Sequence, residues 1–112
     1  LLQLINDKYS MYFYEWKRRD VLNVNKYGIL EPIKSKPIIP DIILVPLLAF
    51  DKFKNRLGYG KGFYDKFLKK NDKNKRKIIS IGVAFSFQKY HKLPTNNKDV
   101  KLDFILTEKG IF

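Results

Sequence analysis

The chain has 112 residues, 45% hydrophobic and 15% aromatic, which suffices for one compact core and is too apolar for a disordered protein. Lys and Arg number 23 against 11 Asp and Glu, a net charge of +12 that favours anionic partners such as nucleotides, polyglutamate tails, nucleic acid or an acidic membrane surface. Cysteine is absent, which excludes disulfides, thiolate zinc sites and a cysteine nucleophile and suits a reducing, cytoplasmic compartment.

The opening "LLQLINDKYS" has no initiator Met, no basic leader followed by an apolar region and no small-residue cleavage site. It reads as the middle of a fold, with an N-terminal portion missing. "MYFYEW", Met11 to Trp16, is dense in aromatics and reads as a strand, with Trp16 in core or edge packing. "NKYGILEP" combines Gly28 and Pro32 and reads as a turn or irregular loop, continuing through Pro37 and Pro40. "DIILVP", Asp41 to Pro46, is a continuous apolar run rich in β-branched residues, the pattern of a strand buried on both faces of a parallel sheet. The longer apolar stretch from Ile38 to Phe50 is broken by Pro40, Asp41 and Pro46 and falls short of the roughly 20 residues of a membrane helix, so no membrane span is expected.

After a loop, "GFYDKFLKK" places Phe63, Tyr64, Phe67 and Leu68 on one face of a helix, with Lys66, Lys69 and Lys70 largely opposite. The run from Lys69 to Lys77 holds six Lys or Arg and one Asp and reads as a solvated helix end and loop. "IISIGVAF", Ile78 to Phe85, and "LDFILT", Leu102 to Thr107, read as two further strands, completing a β-α-β pattern with a right-handed connection. One α/β domain over residues 1–112 is expected, a three-layer sandwich with a mostly parallel sheet flanked by helices.

The chemistry concentrates in "RLGYGKGFYD", Arg56 to Asp65. A glycine-rich turn that leaves a strand and opens a helix sets backbone N–H groups beside the positive end of the helix dipole, which is an anion site. Gly58, Gly60 and Gly62 remove side chains where the backbone must approach a ligand or adopt positive φ. Arg56 can grip phosphate oxygens in a fork and Lys61 can neutralise charge as it shifts, which makes them the candidate catalytic cations. Asp65 has two readings: a carboxylate that shares Mg2+ with a phosphate, or an acid complementing the helix dipole. Spacing alone does not decide, since the loop is neither the Gly-Lys-Ser/Thr phosphate loop nor G-x-G-x-x-G.

The longer string "ILVPLLAFDKFKNRLGYGKGFYDKFL" resembles the signature of 5-formyltetrahydrofolate cyclo-ligase (methenyltetrahydrofolate synthetase), V-P-x-x-A-F-D followed after a short gap by R-L-G-x-G-x-G-Y-Y-D. "IGVAFSFQ", "LPTNNKDVKLDFILTEKG" and "KYGILEP" are similar to further segments of that family, in the same order, so the likeness covers residues 11–110. The resemblance implies the C-terminal two thirds of such a domain and an ATP-dependent ring closure of 5-formyltetrahydrofolate, with or without a polyglutamate tail, to 5,10-methenyltetrahydrofolate with release of ADP and phosphate. In that family chemistry ATP phosphorylates the formyl oxygen, and N-10 then displaces phosphate. Carried over, Arg56, Leu57, Gly58, Tyr59, Gly60, Lys61, Gly62, Phe63 and Tyr64 would bind ATP. Tyr59 to Phe63 would also line the folate side, Tyr27 would stack on a ring of the folate, and Asp65 and Asp99 would hold Mg2+. Phe63 replaces a frequent Tyr of the motif.

Outside the loop, the resemblance makes Phe85 and Gln88 candidate nucleotide contacts, against a core Phe and a surface Gln. His91, the lone histidine, reads as a solvated loop residue. The family's basic N-terminal helix and its folate-contacting carboxylate have no counterpart ahead of "MYFYEW". A monomer is expected, with no nucleic-acid partner. The competing readings are a basic nucleic-acid-binding module, which lacks a reading motif, and an inactive fragment that keeps the phosphate loop.

Overall fold

The computed structural model describes residues 2–6, 10–24, 28, 30–32, 36–60 and 62–112, so Tyr27 and Lys61 lie outside the described residues. The chain divides into two compact units, Leu1–Pro40 and Asp41–Phe112.

In the first unit, β1 (Leu2–Asn6) pairs antiparallel with β2 (Ser10–Tyr14), and β3 (Leu22–Val24) with β4 (Leu30–Pro32). The aromatic run is a strand only as far as Tyr14, with Met11, Phe13 and Tyr14 buried and Phe13 bridged to Ile38. Beyond it the chain turns. Asp20 accepts the Lys17 N–H at 2.8 Å through its carboxylate, while its carbonyl accepts the Trp16 indole N–H at 3.0 Å. That local pair of bonds competes with strand extension. The stretch read as an irregular loop contains β4, and Gly28 keeps its turn character with φ of 76°.

The second unit is built on a four-stranded sheet. Its parallel members β5 (Ile42–Pro46), β8 (Ile79–Val83) and β9 (Phe104–Thr107) lie in the order β5, β8, β9, and β10 (Gly110–Ile111) closes the far side antiparallel to β9. The mostly parallel α/β sheet is the one expected from the sequence. Between β5 and β8 the chain forms a hairpin, β6 (Ala49–Phe50) and β7 (Arg56–Leu57), and then α1 (Phe63–Lys73). A 3-10 turn, Ser86–Gln88, follows β8.

Two cross-strand rows form the inner face: Ile43 beside Ser80, and Val45 beside Gly82 beside Ile105, all of them buried. Gly82 is required there by packing. A Cβ at that position would meet Leu102 Cδ1 at 2.6 Å and Leu47 Cδ2 at 2.9 Å. The helix buries Phe67 and Leu68, while Phe63 and Tyr64 of the expected apolar face are half-buried. Asn71 joins the buried set because its amide donates to the Phe67 carbonyl at 2.8 Å.

One expectation is met on a single side only. The apolar run Ile42–Pro46 reads as a strand buried on both faces, yet Ile43 and Val45 are buried while Ile42 and Leu44 are exposed. Continuous apolar sequence reports two faces that need cover. Among the described residues only one receives it.

Candidate active site

The glycine loop connects β7 to α1, close to the C-terminal end of β5, the end at which open parallel sheets bind their ligands. Its backbone explains the glycine spacing in two different ways. Gly60 and Gly62 have φ of 100° and 68°, a left-handed region that side-chain-bearing residues disfavour. Gly58 has no such constraint, but a Cβ there would lie 2.6 Å from Nη1 of Arg56. Gly62 is also the N-cap of α1 and offers the first turn no side-chain acceptor. With Asp65 in the first turn and Lys70 and Lys73 in the last, the charges of α1 complement its dipole.

Arg56 is held rather than free. Its side chain, on β7, is only 6% exposed; Nη1 donates to the Pro46 carbonyl at 3.0 Å, and Nη2 lies 3.7 Å from Oδ2 of Asp65. The guanidinium also stands 5.4 Å from the centre of the Tyr64 ring, within cation-π range. Three residues of the motif, Arg56, Tyr64 and Asp65, are thus brought together across the glycines. The other Asp65 oxygen, Oδ1, accepts the Val100 N–H at 3.0 Å, which ties the helix start to the segment beside Asp99.

Asp99 and Asp65 therefore occupy neighbouring segments, each already bonded: Asp99 Oδ2 accepts the Asn96 N–H at 3.0 Å. Among the described residues no three His, Cys, Asp or Glu side chains gather to hold a metal. Two carboxylates on neighbouring segments would be the oxygen donors open to a hard cation such as Mg2+, which takes one or two carboxylates together with phosphate oxygens. Tyr59 and Leu57 are exposed beside the loop, and Phe63 is half-buried.

Gln88 and Phe85 behave differently. Gln88 donates to the carbonyls of Leu47 and Leu48 at 3.2 and 3.1 Å and accepts the Phe85 N–H at 2.7 Å, fastening the 3-10 turn to the segment after β5. Phe85 is exposed and stacks on Phe87, with ring centres 5.5 Å apart. His91 is exposed, as expected of a solvated loop residue.

Two carboxylates to which sequence reasoning gave no role make well-defined contacts, one buried and one exposed. Asp51, 1% exposed, accepts N–H bonds from Phe53, Asn55 and Leu93, each at 3.0 Å, and the Asn55 amide at 3.1 Å. Burial, the largest influence, works to raise its carboxyl, but the Leu93 N–H followed by the Asn55 and Phe53 donors together hold it below its usual value. It closes the β6–β7 turn that carries Arg56. The signal was its place at the end of "AFD", directly after a buried Phe. Glu108 accepts the Ser86 hydroxyl at 2.7 Å and the Ser86 N–H at 2.5 Å; those two bonds, the hydroxyl first, hold its carboxyl low.

Against known proteins, the model of the 5-formyltetrahydrofolate cyclo-ligase family matches residues 3–108. The 5-formyltetrahydrofolate cyclo-ligase of Haemophilus influenzae is 39% identical over 104 residues, 88% of this chain and 54% of that protein. The solution structure of Aquifex aeolicus 5,10-methenyltetrahydrofolate synthetase superposes with a TM-score of 0.73 at 35% identity, covering 97% of this chain and 55% of that one. A Mycoplasma pneumoniae 5,10-methenyltetrahydrofolate synthetase gives 0.64 at 27% identity, covering 92% and 52%. The chain spans about half the length of these relatives. With its motif residues gathered at the end of a parallel sheet and its match running almost end to end, the chain belongs to the 5-formyltetrahydrofolate cyclo-ligase family.

Proposed function

We propose that this chain supplies the phosphate-binding part of a 5-formyltetrahydrofolate cyclo-ligase, which closes 5-formyltetrahydrofolate to 5,10-methenyltetrahydrofolate at the expense of ATP, releasing ADP and phosphate. The observation that carries the reading is the loop itself: positive φ at Gly60 and Gly62, an N-cap without a side-chain acceptor, and Arg56, Tyr64 and Asp65 gathered beside it. A loop of this shape meets the need of phosphoryl transfer, which is positioning and charge neutralisation more than proton abstraction.

In this reading the segment from Arg56 to Tyr64 holds the polyphosphate, and Lys61 supplies a second cation beside Arg56. Tyr59 to Phe63 line the folate side, where the formyl oxygen receives the phosphoryl group. The formyl oxygen gains the phosphoryl group, N-10 of the same molecule attacks the activated carbon, and phosphate departs with that oxygen. Asp65 and Asp99 would hold Mg2+, which would neutralise charge on the phosphates. Arg56, anchored on Pro46 and Asp65, acts from a fixed position, so its fork loses little freedom when phosphate arrives. The reaction is assigned to the cytoplasm, with one copy of this chain per site. Among the described residues no helix is long and apolar enough to cross a membrane.

Calorimetric titration of the purified chain with Mg-ATP tests the loop. Saturable binding is expected, weakened tenfold or more in Lys61→Ala and in Gly60→Val. Equal binding by all three proteins would remove the phosphate-loop assignment, and tight, steeply salt-dependent binding to nucleic acid without ATP binding would favour the basic-module reading.

A further inference from the structure

Among the described residues Asp51 is the one buried carboxylate, and its two oxygens divide their work. Oδ1 accepts the N–H groups of Phe53 and Asn55, both at 3.0 Å, and so shapes the β6–β7 turn. Oδ2 accepts the Asn55 side-chain amide at 3.1 Å and the Leu93 N–H at 3.0 Å, and so fixes that turn to a segment far along the chain. All four partners are donors, which suits an ionised carboxylate because it accepts on both atoms; an amide in its place would turn an NH2 group toward two of them. The backbone closes the turn as well. Asp51 N–H donates to the Asn55 carbonyl at 3.3 Å and Lys54 N–H to the Asp51 carbonyl at 3.0 Å, with Lys54 at φ of 65°, a conformation uncommon for a residue with a side chain. Arg56 directly follows Asn55. It lies opposite Phe50 in the hairpin register, and its guanidinium ends 3.0 Å from the Pro46 carbonyl and 3.7 Å from Asp65.

We propose that Asp51 is a positioning residue for phosphate binding: by holding both the backbone N–H and the side-chain amide of Asn55, it sets the direction in which the chain enters Arg56, and hence where the guanidinium stands beside the glycine loop. The inference rests on the phosphate-loop reading and extends it to a residue outside the loop. Asp51 itself reaches no ligand, being 1% exposed with both oxygens engaged. Its effect is carried by geometry. A misplacement of about 1 Å in a group that holds a reacting phosphate can cost about a hundredfold in rate. Arg56 is sensitive to such a shift because its side chain, 6% exposed and bonded to Pro46, has no room to swing and compensate.

A double-mutant cycle read by calorimetric titration with Mg-ATP separates positioning from mere stabilisation. It compares the unsubstituted chain, Asp51→Asn, Arg56→Ala and the two combined. Asp103→Asn is the matched control, since that carboxylate also accepts bonds, from the Ser80 N–H at 2.9 Å and hydroxyl at 3.3 Å, at the start of β8. Asp51→Asn should weaken Mg-ATP binding about tenfold with Arg56 present and by less than about twofold in the Arg56→Ala background, while Asp103→Asn stays within about twofold of the unsubstituted chain. A purely structural Asp51 would weaken binding by the same factor in both backgrounds, or not at all, and either result overturns the proposal. Should Asp51→Asn fail to fold, Asn55→Ala carries the same test. It removes one bond of the path, leaves the buried carboxylate in place, and should weaken binding about threefold, again only with Arg56 present. If the unsubstituted chain does not bind Mg-ATP, the loop reading has failed, and the nuclear magnetic resonance signal of the Arg56 Nε–H decides this inference by itself. A slowly exchanging signal in the unsubstituted chain and Asp103→Asn that exchanges at least tenfold faster in Asp51→Asn supports it, and an unchanged signal in Asp51→Asn overturns it.

Discussion

Asp51 shows how much one carboxylate can organise. Its oxygens accept four donors from Phe53, Asn55 and Leu93, joining the hairpin turn to a segment 42 residues away. Asp51→Ala leaves those donors without a partner and should cost on the order of 3 kcal/mol in denaturant unfolding. The acid response has a definite sign. Its folded carboxyl lies below the unfolded value, so the stabilisation is complete above about pH 4 and is lost as pH falls through the folded value. Asp51→Asn should therefore be less stable than the wild type at neutral pH and flatter in acid, checked by unfolding curves from pH 7 to pH 2. At the glycines, Gly60→Val forces a branched side chain to φ of 100° and should lower stability by about 1–2 kcal/mol, measured by thermal unfolding. Gly58→Ala should act instead on its neighbour, displacing Arg56 from Asp65 with little backbone strain. Arg56 and Asp65 were both legible as loop residues in the sequence. That they pair with each other, across the glycines, was not, because only the fold brings β7 against the first turn of α1.

At the level of elements, the three parallel strands and the helix were legible because each carries a periodic or continuous apolar signal, and their observed bounds, Ile42–Pro46, Phe63–Lys73, Ile79–Val83 and Phe104–Thr107, fall within or close to the expected segments. The short pairs β6–β7 and β3–β4 were not. Two- or three-residue strands carry no period and are specified by long-range bonds such as Leu102 N–H to Lys54 C=O at 2.9 Å and Tyr90 N–H to Phe50 C=O at 2.6 Å. Gly82 is the sharpest test of strand packing. Gly82→Ala inserts a methyl where Leu102 and Leu47 leave 2.6 and 2.9 Å, so it should destabilise by about 1–3 kcal/mol, read from the midpoint of urea unfolding. Gln88→Ala frees the 3-10 turn from Leu47 and Leu48 and should cost about 1 kcal/mol, with faster amide exchange at Phe85 as the local signature.

On the scale of the whole molecule, family membership rests on ordered motifs that one sequence displays, and on a fold that superposes on two solved relatives over 97% and 92% of the chain. What the sequence misreported was cover: an apolar strand signals two faces to be buried, and among the described residues β5 has one of them covered. The +12 charge likewise reads ambiguously until its placement is known. Part of it lies on the exposed Lys and Arg side chains between Lys69 and Lys77, while Arg56 is committed to Pro46 and Asp65. The central claim is that this loop serves ring closure of a formylated folate. Its most direct test is the near-ultraviolet absorbance of the methenyl product, followed with 5-formyltetrahydrofolate and Mg-ATP, using this chain joined to the unmatched part of the Haemophilus influenzae relative. Product that requires ATP and falls at least tenfold in Lys61→Ala is expected; a joined protein that binds Mg-ATP yet yields no product above background would refute this role of the loop.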